Sequence, residues 1–163
     1  MKAIYILSIF FLAVYFQPGL SQIRAEYPKA VKNEKKANKL YESLSSITKE
    51  DNKVLVAYKG GVSTIMAQFG KGIKEKTDLF KEGRDLLEYA VKEAPENIEI
   101  RSIRMGVQEN SPKIVGYHDN IEDDKKFILT NYKHTRSEEV KKAVKKYVLQ
   151  SKAFDESEKQ TFK

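Results

Sequence analysis

Residues 78–97 read DLFKEGRDLLEYAVKEAPEN. Leu79, Phe80, Gly83, Leu86, Leu87, Ala90 and Val91 return at steps of three and four, the spacing of one face of an α-helix. Lys81, Arg84, Asp85 and Lys92 fall between them. Pro95 has no amide hydrogen to continue the ladder, and Asn97 can cap the next helix. The stretch predicts a helix over 78–93, a stop at Pro95 and a new helix from Ile98.

The same periodicity extends in both directions, and strand-like alternation is hard to find. Upstream, Val54, Leu55, Tyr58, Val62, Ile65, Met66 and Phe69 make a broad helical face behind a capping start at Thr48–Asp51. Gly60 and Gly61 lie within it. Two glycines cost a helix about 2 kcal/mol, so a close neighbour or a kink is expected there. Gly70 and Gly72 end that helix, and 71–77 reads as a polar connection. Further upstream, Ala37, Leu40, Tyr41, Leu44 and Ile47 predict one helix over 27–47, with Lys32, Lys35, Lys36 and Lys39 off the stripe.

Downstream, Ile100, Ile103 and Val107 share a face of a helix from 98 to about 109, which the 110–112 segment ends at Pro112. Asp119 or Asn120 can cap the next helix, where acids at 122–124 precede Lys125 and Lys126, an order that suits the helix dipole. Ile121, Ile128 and Tyr132 point inward there. Thr135 and Glu138 have capping-box spacing before a helix that packs Val140, Ala143, Val144, Tyr147 and Val148. A short turn near Phe154 closes the chain. The sum is an all-α protein of five to six antiparallel helices packed as hairpins, a tetratricopeptide-like array or a helical bundle.

The N-terminus has a different character. Lys2 precedes an apolar run from Ile4 to Phe16, shorter than the roughly 20 residues a membrane-spanning helix needs. Pro18 interrupts it, and Gly19 and Ser21 are small residues suited to cleavage after Ser21. This predicts a signal peptide over 1–21 and a single exported helical domain over 22–163, periplasmic or secreted. The alternative is an uncleaved anchor. The chain has 163 residues, no Cys and a net charge of +7. Without Cys there are no disulfides, thiolate metal sites or Cys nucleophiles, and the fold rests on its apolar core. Lys is spread over helix faces and interleaved with Glu, which is how a solvated face reads, so nucleic acid is not an expected partner. Weak association with an anionic surface fits the charge.

Phe80, Gly83, Leu87, Ala90 and Pro95 stand at the offsets of the second helix of a tetratricopeptide-type repeat, which this stretch resembles. That resemblance implies close helix-hairpin packing. No second copy occurs at a 34-residue period, and the 70–77 connection is longer than the repeat uses. Residues 97–104, 108–112 and 116–117 also resemble segments of uncharacterised exported all-helical proteins of Bacteroidota-type bacteria. This implies a compartment and a fold, with no activity attached.

Few residues suggest chemistry. The histidines, His118 and His134, lie in no nucleophile motif. His118 with Asp119, Glu122, Asp123 and Asp124 has acids enough for a metal, yet lacks calcium-loop or paired-His spacing, and reads as a capped, acidic helix start. Glu88 and Glu93 read as surface charge, and 59–61 lacks the rest of a phosphate loop. Arg101 and Arg104 stand out because Arg is scarce in a Lys-rich chain and its fork suits a fixed carboxylate or phosphate. An internal salt bridge to Glu82, Asp85 or Glu88 is the competing use. The reading is a non-enzymatic interaction or scaffold module whose inter-hairpin groove receives a segment of an envelope or secreted partner. Tyr58, Gly60, Gly61, Arg101, Arg104 and Tyr117 are the candidate lining, with no catalytic residue, metal or cofactor. The alternative is a small ligand-binding protein or enzyme with a pocket around Arg104, Tyr117 and His118.

Overall fold

A computed structural model describes residues 19–163. The apolar run from Ile4 to Phe16 and Pro18 lie outside the described residues. Among those described there are eight α-helices and no strand: α1 Leu20–Ala30, α2 Glu34–Ser43, α3 Lys53–Phe69, α4 Ile73–Glu93, α5 Ile98–Asn110, α6 Ile121–Asn131, α7 Glu138–Gln150 and α8 Glu156–Gln160. Short 3-10 turns, Lys113–Val115 and Tyr132–His134, lie on either side of α6. None of these helices is long and apolar enough to cross a membrane.

The α3–α4 hairpin is the centre of the fold. Gly60 and Gly83 face each other where the two helices cross. A Cβ on Gly83 would sit 2.5 Å from the Gly60 carbonyl oxygen and 2.5 Å from Thr64 Cγ2, and one on Gly60 would sit 2.7 Å from the Gly83 carbonyl oxygen. Gly61 faces the other way, and its Cβ would collide with the Tyr27 ring of α1. Close packing on two sides is therefore why α3 tolerates both glycines. Leu87 and Ala90 of α4 and Val56, Ala57 and Val62 of α3 are fully buried around the crossing.

Two apolar clusters share α5. Ile100, Ile103 and Val107 join α1–α4 in the first; Ile98 and Met105 join Ile128, Val144, Val148, Phe154 and Phe162 in the second. The pairs α3–α4 and α5–α6 run antiparallel. By contrast, Glu99 and Glu139 meet through Arg24, and Glu109 meets Tyr147 and Ser151, so α5 and α7 run side by side in the same direction.

Several expected boundaries shift, and the helix count rises from five or six to eight. The helix expected over 27–47 is two, because the Asn33 side chain accepts the Lys36 amide and starts α2 afresh. Leu44 and Ile47 still bury, but from the turns beyond α2. Residues 73–77 are helical rather than a connection, held by Thr77 Oγ1 donating to the Ile73 carbonyl and by the Lys74–Asp78 ion pair. Ser137, not Thr135, caps α7. The full capping box belongs to α8, where Asp155 and Glu158 exchange side-chain and backbone bonds.

Candidate functional site

Three helices from different parts of the chain leave a cleft of about 570 Å³ between them. Its size falls in the range of ligand sites, roughly 300–1,000 Å³. Tyr27, Pro28 and Val31 come from α1 and its end, Ser102, Ile103 and Gly106 from α5, and Ala143, Val144 and Tyr147 from α7. Gly106 keeps the floor low, since a Cβ there would sit 3.2 Å from the Tyr147 ring. Tyr58 reaches the same cleft from α3, its ring edge-on to Tyr27 with centroids 5.2 Å apart.

Arg24 closes one end of the cleft. Its Nε and Nη2 donate to the two carboxylate oxygens of Glu99 at 2.7 and 2.8 Å, a bidentate pair, and Nη1 donates to Glu139 of α7 at 2.7 Å. Glu99 is 2 % exposed and also accepts from the Tyr58 hydroxyl at 2.8 Å. The Glu99 hydrogen bond, which outweighs the cost of burial, raises the Arg24 pKa, so the guanidinium stays charged. Burial, with Glu99 beside it, raises Tyr58 and keeps its phenol protonated. At the other end of the cleft, where α7 terminates, Glu109 accepts from Tyr147 Oη at 3.0 Å, Ser151 Oγ at 2.8 Å and the Lys152 amide at 2.6 Å. Both carboxylates are thus committed to internal donors.

The cations around the cleft are differently placed. Lys29 pairs with Glu26 of its own helix. Lys32, Lys146 and Lys152 are exposed, and among the described residues none of them has a carboxylate partner. The lining carries Arg24, Lys29, Lys32, Lys146 and Lys152 against Glu99 and Glu109, and this excess of cations gives the cleft a positive rim.

Of the expected lining residues, only Tyr58 borders this cleft. Gly60 and Gly61 are buried at helix contacts. Arg104 is 5 % exposed and bonds Asp124 at 2.8 and 2.7 Å and Glu88 at 3.0 Å. Burial opposes its charge, but Asp124 and Glu88 more than compensate and its pKa is raised. Arg101 joins the same fully buried Asp124 at 2.9 Å and stacks on Phe127. Tyr117 donates to Glu88 at 2.5 Å and meets Phe80 edge-on. Its phenol is raised by burial and then by Glu88. His118 Nδ1 donates to the Gln108 carbonyl at 2.9 Å, and its Nε2 is buried without a partner among the described residues. These residues do form one neighbourhood, but as a knot tying α4, α5 and α6 together. Of the three acids proposed for the two arginines, Glu88 is used, and Asp124 is the dominant partner.

Arg24, Glu99 and Glu139 are the residues that sequence reasoning missed. They meet across separations of 75 and 115 positions, which no local spacing encodes. The scarcity of Arg that singles out Arg101 and Arg104 applies equally to Arg24 and was the available signal. No protein-family model matches the chain, and no curated protein or solved structure is similar enough to count as a match.

Proposed function

We propose that this protein is an exported, non-catalytic interaction module of the bacterial envelope, and that the cleft between α1, α5 and α7 receives a segment of a partner protein. The cleft itself carries the reading: a concave, apolar surface bordered by three helices, with its carboxylates occupied by Arg24, Tyr58, Tyr147 and Ser151. A general acid or base needs a proton it can exchange with substrate, and Glu99 and Glu109 are each held by three internal donors. The Arg104 neighbourhood supports a structural role for the same reason.

Photo-cross-linking from within the native envelope tests this. A photoreactive residue at Ala143 or Lys32 should give a discrete adduct with one partner, and the same residue at exposed Lys81 on α4 should not. Adducts that are absent, or identical at all three positions, would remove the cleft from the proposal. N-terminal sequencing of the protein recovered from its host should begin at Gln22, and a sequence beginning at Met1 would reject cleavage.

A further inference from the structure

We infer that the segment received by the cleft is acidic, and that one of its carboxylates takes the place Glu139 holds on Arg24. The inference rests on the cleft reading above and adds the chemistry of the partner. Arg24 is fixed by two hydrogen bonds to buried Glu99, so its guanidinium plane is set before anything binds. Its remaining contact, from Nη1 to Glu139, lies at the surface, with the Glu139 side chain 61 % exposed. An ion pair of that kind contributes little, because water screens it and a long side chain must be ordered to make it. Glu139 therefore acts as an internal stand-in: a carboxylate on a preorganised arginine, removable at small cost. An incoming carboxylate meets the same charge-assisted geometry without having to orient the arginine.

The rim favours the same class of occupant. Lys32, Lys146 and Lys152 border the cleft, and none of the three has a carboxylate partner among the described residues. Of the two acids in the lining, Glu99 is charge-paired with Arg24, and Glu109 has its oxygens occupied by three neutral donors, so one carboxylate charge stands against the three lysines. A basic segment would meet three uncompensated lysines, whereas an acidic one relieves their mutual repulsion. Pro28, Val31 and Ala143, partly exposed along the walls, ask in addition for apolar side chains between the acids.

The test uses the whole protein as recovered from its host and three short synthetic peptides, one alternating Glu with Leu and twins carrying Gln or Lys in place of Glu. Binding is followed by fluorescence anisotropy, and its location by backbone amide shifts. The Glu peptide should bind with shifts in α1, α5 and α7, weaken as salt rises, and outcompete both twins. Glu139→Gln removes the competing negative charge from Arg24 and should tighten it by about two- to fivefold, the range of an exposed ion pair. The double reversal Lys32→Glu with Lys146→Glu should weaken it about tenfold. All three substitutions change exposed side chains, so folding is not at stake. Equal binding of the Glu and Gln peptides in the cleft, with no response to Glu139→Gln, would overturn the acidic assignment and leave the cleft reading intact. Failure of every peptide to bind overturns the acidic assignment too, and the cross-linking at Ala143 and Lys32 then decides the cleft reading separately.

Discussion

A single missing methyl sets how closely the central helices approach. Gly83 lies mid-helix in α4, where Ala is favoured by about 1 kcal/mol on propensity alone. Here the added Cβ would meet the Gly60 carbonyl and Thr64 at 2.5 Å, and the backbone nitrogen of Thr64 at 2.9 Å. Two of these three contacts are backbone atoms, which cannot swing aside as a side-chain end can. The steric cost of overpacking, about 1–3 kcal/mol, should exceed the propensity gain. Gly83→Ala should therefore lower the urea midpoint with little change in slope. Gly72→Ala makes the useful comparison, because nothing lies within 4 Å of its Cβ position and its backbone is extended. A Gly83→Ala protein as stable as the parent would mean that the helices do not touch as described. At the same scale, Asp124 shows why the acids around Arg104 were only partly legible. It sits among Glu122 and Asp123 in what reads as a solvated first turn, yet it is 0 % exposed and binds two arginines from α5. One helical turn gives its neighbours to water and Asp124 to the interior, and composition does not tell them apart.

Elements were legible where apolar periodicity and a stop signal coincide. Residues 78–97 have both, and α4 ends at Glu93 with Asn97 capping α5. The start of α4 was missed because every residue from 71 to 78 is exposed, so no apolar stripe marks that part of the helix. The break between α1 and α2 was missed because an Asn between two apolar stretches is equally readable as a polar helix position. The five-residue α8 has no stripe at all. It rests on its capping box and on Phe162 just beyond its end, which is buried with its ring 4.4 Å from Tyr132 and 6.1 Å from Phe154. The smallest element thus closes the second cluster. Phe162→Ala should cost about 3–5 kcal/mol of that cluster's packing. Because α5 shares its faces between the clusters, the loss should be local first. Hydrogen exchange should quicken in α6, α7 and α8 while the α3–α4 hairpin keeps its protection. Uniform quickening across α3 and α4 would mean the two clusters open as one cooperative unit.

Across the whole molecule, the polar ends of buried and half-buried tyrosines fasten the layers to each other. Tyr58 reaches from α3 to Glu99 on α5, Tyr117 from the segment before α6 to Glu88 on α4, and Tyr147 from α7 to Glu109 on α5. Tyr27 differs, for its hydroxyl crowds Gly61 and makes no hydrogen bond among the described residues. Burial raises all four phenols, and a nearby Glu raises three of them further. The pH dependence is set by which state holds the protons. In the unfolded chain a phenol ionises near pH 10, whereas in the folded chain these four keep their protons above that. Stability from them is complete below about pH 10 and falls as pH rises through the raised folded-state values, at about 1.4 kcal/mol per pH unit for each group in that window. The protein should accordingly unfold steeply in alkali, with the phenolate absorbance of these rings appearing together with the loss of helical circular dichroism. Tyr27→Phe isolates the effect, since it removes a titrating group and no hydrogen bond. It should leave stability at neutral pH within about 0.5 kcal/mol of the parent, as expected where no packing or partner is lost, and raise the pH of half-unfolding. A variant with an unchanged alkaline midpoint would show that the Tyr27 ring is hydrated in the folded protein, and would place water where α1 meets α3.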